Sequence, residues 1–391
     1  MSTYPKITLK PGRDIHTRNK HPWIFRGALE KFPNASDGSI LAVHAADGTL
    51  LGHGYFTASQ SIAGRMLNFS SQDPLESITS HIQNAQALRA VCVPPNTTAF
   101  RLFNGEADGI PGLIVDSYAG VLVVQCNTQG VEKLKPLILR LLIDQIKPLA
   151  IFEKSTSPTR KQEGLDPAIG WLYESAPEPL HILEHGLSFD VHLSHSQKTG
   201  AFLDQREVRQ LVKEYANNRT VLNCFGYTGG FSVYALAGGA LRADTLDVDS
   251  AALATAESSV AANGFGPEIH TAISEDAFNF LNRPLPQPYD FIILDPPAFA
   301  KRSSDVTNAA RGYRELNRLA LQHLPTNGLL LTASCSKHID AALFRTIVFN
   351  AAKDAKREVQ ILSLHHMAAD HPVSIYFPEG EYLKSMLVRV I

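Results

Sequence analysis

The sequence predicts an α/β protein whose C-terminal half is a doubly wound sheet, preceded by a β-rich unit and a central α+β unit. Three observations predict it. From about Leu187, short apolar runs alternate strictly with segments of helical spacing: 221–225, 231–238, 245–249, 251–264, 268–273, 276–281, 289–295 and 329–334. That alternation is the signature of βα units and a parallel sheet. The runs 291–294 and 329–332 lack polar alternation, as expected of strands covered by helices on both faces. Finally, 391 residues exceed what one hydrophobic core usually holds, and the breaks in pattern divide the chain into 1–72, 73–184 and 185–391.

Taken in order, the first unit alternates short apolar runs with turn residues. Asp47-Gly48 between the runs 40–43 and 50–55 predicts a hairpin. Asp73-Pro74 then opens a predicted helix over 75–90, strands are expected within 113–126, and a second helix over 131–146. The 44% hydrophobic and 19% charged composition is that of a folded chain rather than a disordered one. The first residues contain no apolar leader core, and no run reaches the roughly 18 apolar residues of a membrane span, so a cytoplasmic protein without a membrane partner is expected. Cys92, Cys126, Cys224 and Cys335 are scattered and form no Cys-x-x-Cys pair, so neither a metal site nor a disulfide framework is predicted.

Residues 221–230 read as a buried strand entering a glycine-bearing turn and then a helix near Phe231. Glycine permits close approach of backbone to ligand, and Asn223, Phe225, Tyr227 and Gly229 are the positions expected to line it. Alone the motif is weak. The next strand ends in Asp247, about twenty residues on, where a carboxylate can accept both hydroxyls of a ribose. NAD and S-adenosylmethionine both present such a ribose. The single short turn at 227–230 is not the Gly-x-Gly-x-x-Gly cradle of a pyrophosphate, which favours S-adenosylmethionine over NAD. Asp249 suits a helix cap better than a ligand contact. Asp276, after the third strand, reads as an adenine contact or equally as a cap.

The fourth strand ends in Asp295-Pro296-Pro297-Ala298-Phe299, beyond the carboxyl edge where ligands of open α/β sheets bind. The fifth leads into Ser334-Cys335-Ser336. Adjacent strand ends would place Cys335 near Asp295. The other three cysteines read as small buried hydrophobes, whereas Cys335 leaves its apolar run at a strand terminus where a thiol can be activated. Such a thiol beside an acid suits methylation of cytosine at carbon 5, an atom too weakly nucleophilic to be methylated unaided. Cys335 would add to carbon 6 while Asp295 holds or protonates N3.

With these residues in place, the chain resembles the bacterial 23S ribosomal RNA cytosine-C5 methyltransferases that carry an N-terminal PUA domain. The resemblance runs almost end to end: HPWIF from His21, NGEADGIPG from Asn104, KTGAFLDQR from Lys198, LNCFGYTGGF, DPPAF, RGYRELN, SCS, ADHP from Ala369 and FPEG from Phe377. It implies a PUA domain for RNA, a central α+β domain and a Rossmann-like methyltransferase domain. It also implies Cys335 as nucleophile and the segment 198–206, with Lys198, Thr199, Phe202, Asp204 and Arg206, against the cofactor. Relatives often carry Lys where Ala298 follows Asp-Pro-Pro here.

A net charge of -2 excludes a global positive field, so RNA contact would come from local patches. One holds Lys10, Arg13, Arg18, Lys20 and Arg26, near Trp23; the other holds Lys301, Arg302, Arg311, Arg314 and Arg318. Either could equally be solvated surface. The expected partner is ribosomal RNA, with the chain a monomer or homodimer. The competing readings are a base N-methyltransferase with Phe299 stacked on the base, and a non-catalytic RNA-binding protein.

Overall fold

The computed structural model describes residues 4–32, 34–194, 196–300 and 302–391. The chain forms two compact units, one of residues 1–185, 191–203 and 369–380, the other of 186–190, 204–368 and 381–391.

The first unit contains two five-stranded sheets. Strands β1 (Lys6–Thr8), β2 (Trp23–Phe25), β3 (Ser39–His44), β4 (Leu50–Phe56) and β5 (Ile62–Asn68), with the one-turn helix α1 (Ile15–Arg18), give the order β1-β3-β4-β5-β2. Helix α2 (Pro74–Cys92) begins where Asp73-Pro74 predicts, with the Asp73 carboxylate accepting from Leu75 N at 2.8 Å. Strands β6 (Ala99–Asn104), β7 (Leu113–Tyr118), β8 (Val121–Cys126), β9 (Ala150–Ser155) and β10 (Ala168–Tyr173) form the second sheet, ordered β10-β9-β8-β7-β6. Helix α3 (Gln129–Ile146) joins β8 to β9, α4 (Pro158–Gln162) precedes β10, and β11 (Leu180–Glu184) follows it.

No gap in packing falls at the expected 72/73 boundary. Tyr55 and Leu67 of the first sheet are buried in the core that Ile78 and Ile82 of α2, Leu113, Val124 and Val131 build. Gly130 in α3 makes room for this, since a Cβ there would stand 2.0 Å from the Tyr55 ring. Beside it, Arg65 of β5 forms a buried ion pair with Glu163 at 2.8 Å. The Glu163 carboxylate also accepts from Thr57 Oγ1 at 3.2 Å and from Gln129 N at 3.3 Å.

In the second unit, β12 (Leu187–Val191) is followed by α5 (Arg206–Tyr215), β13 (Thr220–Cys224), α6 (Gly230–Ala237), β14 (Arg242–Asp247), α7 (Ser250–Ala262), β15 (Ala272–Ser274) and α8 (Ala277–Leu281). Then come β16 (Phe291–Leu294), α9 (Val306–His323), β17 (Leu329–Ser334), α10 (Ala341–Ala355), β18 (Val359–His365) and β19 (Lys384–Val390). The seven-stranded sheet has the order β15-β14-β13-β16-β17-β19-β18. Leu222 and Leu294 pack on one face against Tyr313 and Phe344, while Val221 and Ile293 pack on the other against Val208 and Val233. The parallel sheet expected from the alternation is found from β15 to β17, and beyond it β19 runs antiparallel to both β17 and β18. Residues 366–383, between β18 and β19, contain no α-helix, and the two strands pair as antiparallel neighbours that need no crossover. Among the described residues, no helix is long and apolar enough to cross a membrane.

Candidate active site

Strand β13 ends at Cys224, and the chain turns through Phe225 and Tyr227, both with left-handed backbone (φ 59° and 47°), and Gly229 (φ 76°). Gly226 and Gly229 are required by packing: a Cβ would meet Thr245 Cγ2 at 2.4 Å from the first and Ala256 Cβ at 2.7 Å from the second. Gly229 starts α6 without a side-chain cap. The strained turn is held by Asp247, whose Oδ2 accepts from Tyr227 N at 2.9 Å and whose Oδ1 accepts from Asp249 N at 3.0 Å. Asp249 itself caps α7 through Ala251 N and Ala252 N, as its position predicts. A buried polar chain runs behind the turn. Asn223 Nδ2 donates to Ser232 Oγ (3.1 Å), which shares a hydrogen bond with Thr245 Oγ1 (2.6 Å), itself bonded to His270 Nε2 (2.9 Å). Burial holds the His270 pKa below the ordinary imidazole value. The chain ends in the buried Asn223 Oδ1, which has no hydrogen-bond partner among the described residues.

Beyond β16 and β17, the predicted pair is brought together. The two strands are parallel neighbours with Leu294 opposite Thr332. Cys335 is half-buried with its Sγ 3.9 Å from the Pro296 carbonyl, in the residue next to Asp295. Asp295 Oδ1 accepts from Gln205 Nε2 at 2.9 Å, and Gln205 Oε1 is buried without a partner among the described residues. Ser336, after the cysteine, accepts from Ala300 N (3.2 Å) and is bonded to Tyr313 OH (3.0 Å) through its hydroxyl. Burial raises the Tyr313 pKa, and its hydrogen bonds to Ser334 and Ser336 oppose that.

Other predicted residues fall elsewhere. In the first unit, Thr199 is buried and its hydroxyl donates to Asp116 Oδ2 (2.5 Å) and bonds Tyr118 OH (3.0 Å), so it anchors its loop to β7. Lys198 lies 4.2 Å over the ring of Phe202. The 198–206 segment divides between the units after Leu203. In the second unit Asp204 accepts from Tyr382 OH (2.5 Å), and Arg206 is fully buried beside Glu207 (3.1 Å). Asp276 is exposed and caps α8 through Asn279 N, the second of its two readings. Cys92, the last residue of α2, is half-buried rather than buried, whereas Cys126 and Cys224 are buried and their thiol pKa values are raised, that of Cys126 to about 12.

The basic patches are more neutral than their composition suggests. Arg314 forms a two-pronged ion pair with Asp354 (2.6 and 2.8 Å), Arg318 pairs with Glu315 (2.5 Å), and Arg18 pairs with Asp14 and Asp47. Arg311 and Arg302 are exposed, as is Arg13; Lys301 lies outside the described residues. Lys20 sits 5.6 Å over the Tyr376 ring. Trp23 donates Nε1 to Glu106 (2.8 Å) and packs edge-on against Phe377 (4.6 Å), so it is partly buried in the first unit rather than presented as an open stacking face. Sequence reasoning missed Gln205 and Lys384. Gln205 stands inside the segment the resemblance singles out. Lys384 was visible as a cation opening the strand-like run 384–390.

A family model described as S-adenosylmethionine-dependent methyltransferase matches residues 100–365, more than half of the chain. The chain belongs to that family. A PUA-like domain matches residues 7–69, the region of the first sheet. Ribosomal RNA large subunit methyltransferase I of Shewanella frigidimarina is 38% identical over 98% of this chain and 99% of its own length. The protein of the same name from Aliivibrio fischeri is 38% identical over 98% of this chain and 99% of its own. Among solved structures, a candidate SAM-dependent methyltransferase from Streptococcus mutans aligns with a TM-score of 0.84 at 25% identity, covering 99% of this chain and 100% of that one. As a member of the family the chain is an enzyme that uses S-adenosylmethionine, on a methyltransferase fold preceded by a PUA-like domain. The second unit fits that cofactor: a pinned carboxylate, Asp247, for a ribose diol, and an unpaired buried acceptor, Asn223 Oδ1, that a polar ligand can complete.

Proposed function

We propose that this methyltransferase acts on carbon 5 of a cytosine in large-subunit ribosomal RNA, through a covalent bond to Cys335. Its substrate class follows the names of its relatives, and the observation that carries the chemistry is the half-buried Cys335 thiol facing the Asp295-Pro296 turn across two parallel strand ends. Asn223, Phe225, Tyr227, Gly229, Asp247 and Asp276 would hold the cofactor, together with Asp204 and Arg206 of the same unit. When bound, S-adenosylmethionine supplies an electrophilic methyl group.

The protein's own residues do the rest. The Cys335 thiolate forms a bond to carbon 6 of the base, and the ring electrons move to carbon 5, making it nucleophilic. Asp295 holds N3 of the ring, oriented by Gln205, whose amide fixes one carboxylate oxygen. After methylation, loss of the carbon 5 proton re-forms the double bond and expels the Cys335 thiolate. A three-part division at 1–72, 73–184 and 185–391 accompanies the reading, with the PUA-like part and Arg13, Lys20, Arg302 and Arg311 offering phosphate contacts that position RNA without reading its sequence. N-methylation with Phe299 as the stacking platform is less favoured, because that partly buried ring already packs on Tyr313 at 4.6 Å against the core.

The test is methyl transfer from labelled S-adenosylmethionine to unmodified ribosomal RNA, with the product nucleoside identified by mass spectrometry. We expect 5-methylcytidine with the wild type and none with Cys335→Ala. An active Cys335→Ala enzyme, or label on an exocyclic amine, would overturn the mechanism.

A further inference from the structure

The placement of Cys335 against the Pro296 carbonyl leaves open how a half-buried thiol becomes a thiolate near neutral pH. Lys384, the first residue of β19, offers an answer. Its register partner is Ser334, immediately before the cysteine. The side chain is 6% exposed and reaches past Cys335, its Nζ donating to the Ser336 carbonyl at 2.7 Å and to the Ile339 carbonyl. An ammonium has three donors, and two are held by these carbonyls. Neither acceptor carries a charge, so the buried cation has no direct ion-pair partner in these bonds. An isolated buried cation is costly unless an anion compensates it.

We propose that Lys384 is a positioning residue that stabilises the thiolate of Cys335 and fixes the turn that carries it. The proposal rests on Cys335 being the nucleophile, but the acidity of the thiol can be measured without turnover. Among the described residues, charged and titratable groups approach the pair from several elements. Tyr313 faces the cysteine from α9, Asp340 lies at the start of α10, Glu381 lies just before β19, and Asp295 precedes the carbonyl that the thiol faces. Lys337 follows two residues along the chain. Burial lowers the Lys384 pKa, and charge on Cys335 is the largest influence raising it again, ahead of Glu381 and Asp340. The coupling is mutual, so the ammonium favours the thiolate by as much as the thiolate favours the ammonium.

The experiment is alkylation of the full-length protein by iodoacetamide across a pH series, reading the Cys335 peptide by mass spectrometry. This separates it from Cys92, while Cys126 and Cys224 are buried. The wild-type midpoint is expected below the ordinary thiol value of about 8.5. Lys384→Met should move it upward by about one unit, slowing alkylation at pH 7 about tenfold. Lys384→Arg, which keeps the charge, should retain most of the low midpoint. A wild-type midpoint at or above the ordinary value overturns the proposal, as does a folded Lys384→Met protein with an unmoved profile. Should Lys384→Met not fold, the wild-type midpoint and Lys384→Arg still decide. A Cys335→Ala protein that still methylates RNA would remove the nucleophile reading alone, and the alkylation profile would still report whether Lys384 tunes the thiol.

Discussion

Replacing Asp247 by Asn tests the cofactor site with little change of volume. In the wild type each carboxylate oxygen accepts one backbone N–H, from Tyr227 and from Asp249, and each keeps a further lone pair for a ribose hydroxyl. Asparagine retains one oxygen. Its NH2 group must face either a backbone N–H, which opens the Tyr227 turn, or the ribose, which must then accept. One charge-assisted hydrogen bond to the cofactor is lost and the other becomes neutral, a loss of about 1.5–3 kcal/mol. S-adenosylmethionine affinity should therefore fall about 10- to 150-fold. Isothermal titration calorimetry on the full-length protein measures this, with thermal unfolding as a control for folding. A folded Asp247→Asn protein that binds the cofactor with wild-type affinity would refute the assignment of Asp247 to the ribose.

Three further outcomes are expected. Gly130→Ala gains roughly 1 kcal/mol of helix propensity but drives a methyl into the Tyr55 ring in a packed core. Overpacking of about 1–3 kcal/mol or more should win, lowering the thermal midpoint, and an unchanged or raised midpoint would contradict the packing described. The second concerns pH. Because burial lowers the folded-state pKa of His270 below its unfolded value of about 6.5, the neutral ring contributes stability above that pH and loses it as pH falls through the folded pKa. His270→Gln should flatten the decline in thermal midpoint between about pH 7 and 5 relative to wild type, and an equally steep decline would exclude the role. The third concerns RNA. Arg311→Ala should lower the salt slope of RNA binding by about 1 in log–log form. Arg314→Ala, whose guanidinium is held by Asp354, should change it less, and the reverse order would show that the ion pair opens on RNA.

Much of the second unit was legible because its strands are short, apolar and separated by helices. The run 291–294 matches β16, and the cap role of Asp249 follows from its place before a helix. The proximity of Cys335 to the Asp295 turn was legible for the same reason, since parallel order puts strand ends at one edge. What was not legible depends on contacts distant in sequence. Nothing local marks Arg314 as neutralised by a carboxylate forty residues away. The insertion of β19 between β17 and β18 was equally hidden, because an apolar run does not state its neighbours. The anchoring of Thr199 by Asp116 and Tyr118 was hidden for the same reason, since both partners lie on a strand far back in the sequence.

The interior place of β19 has a consequence for synthesis. Residues 384–390 are made after every other strand of the sheet, yet they lie between β17 and β18. Until they emerge from the ribosome, β17 presents an open edge, and an unpaired edge strand is a template for association with other chains. A nascent chain therefore holds its cofactor turn and its cysteine before it holds the strand that bears Lys384. Translation stalled before residue 384 should yield a protein prone to aggregation rather than a partially active enzyme.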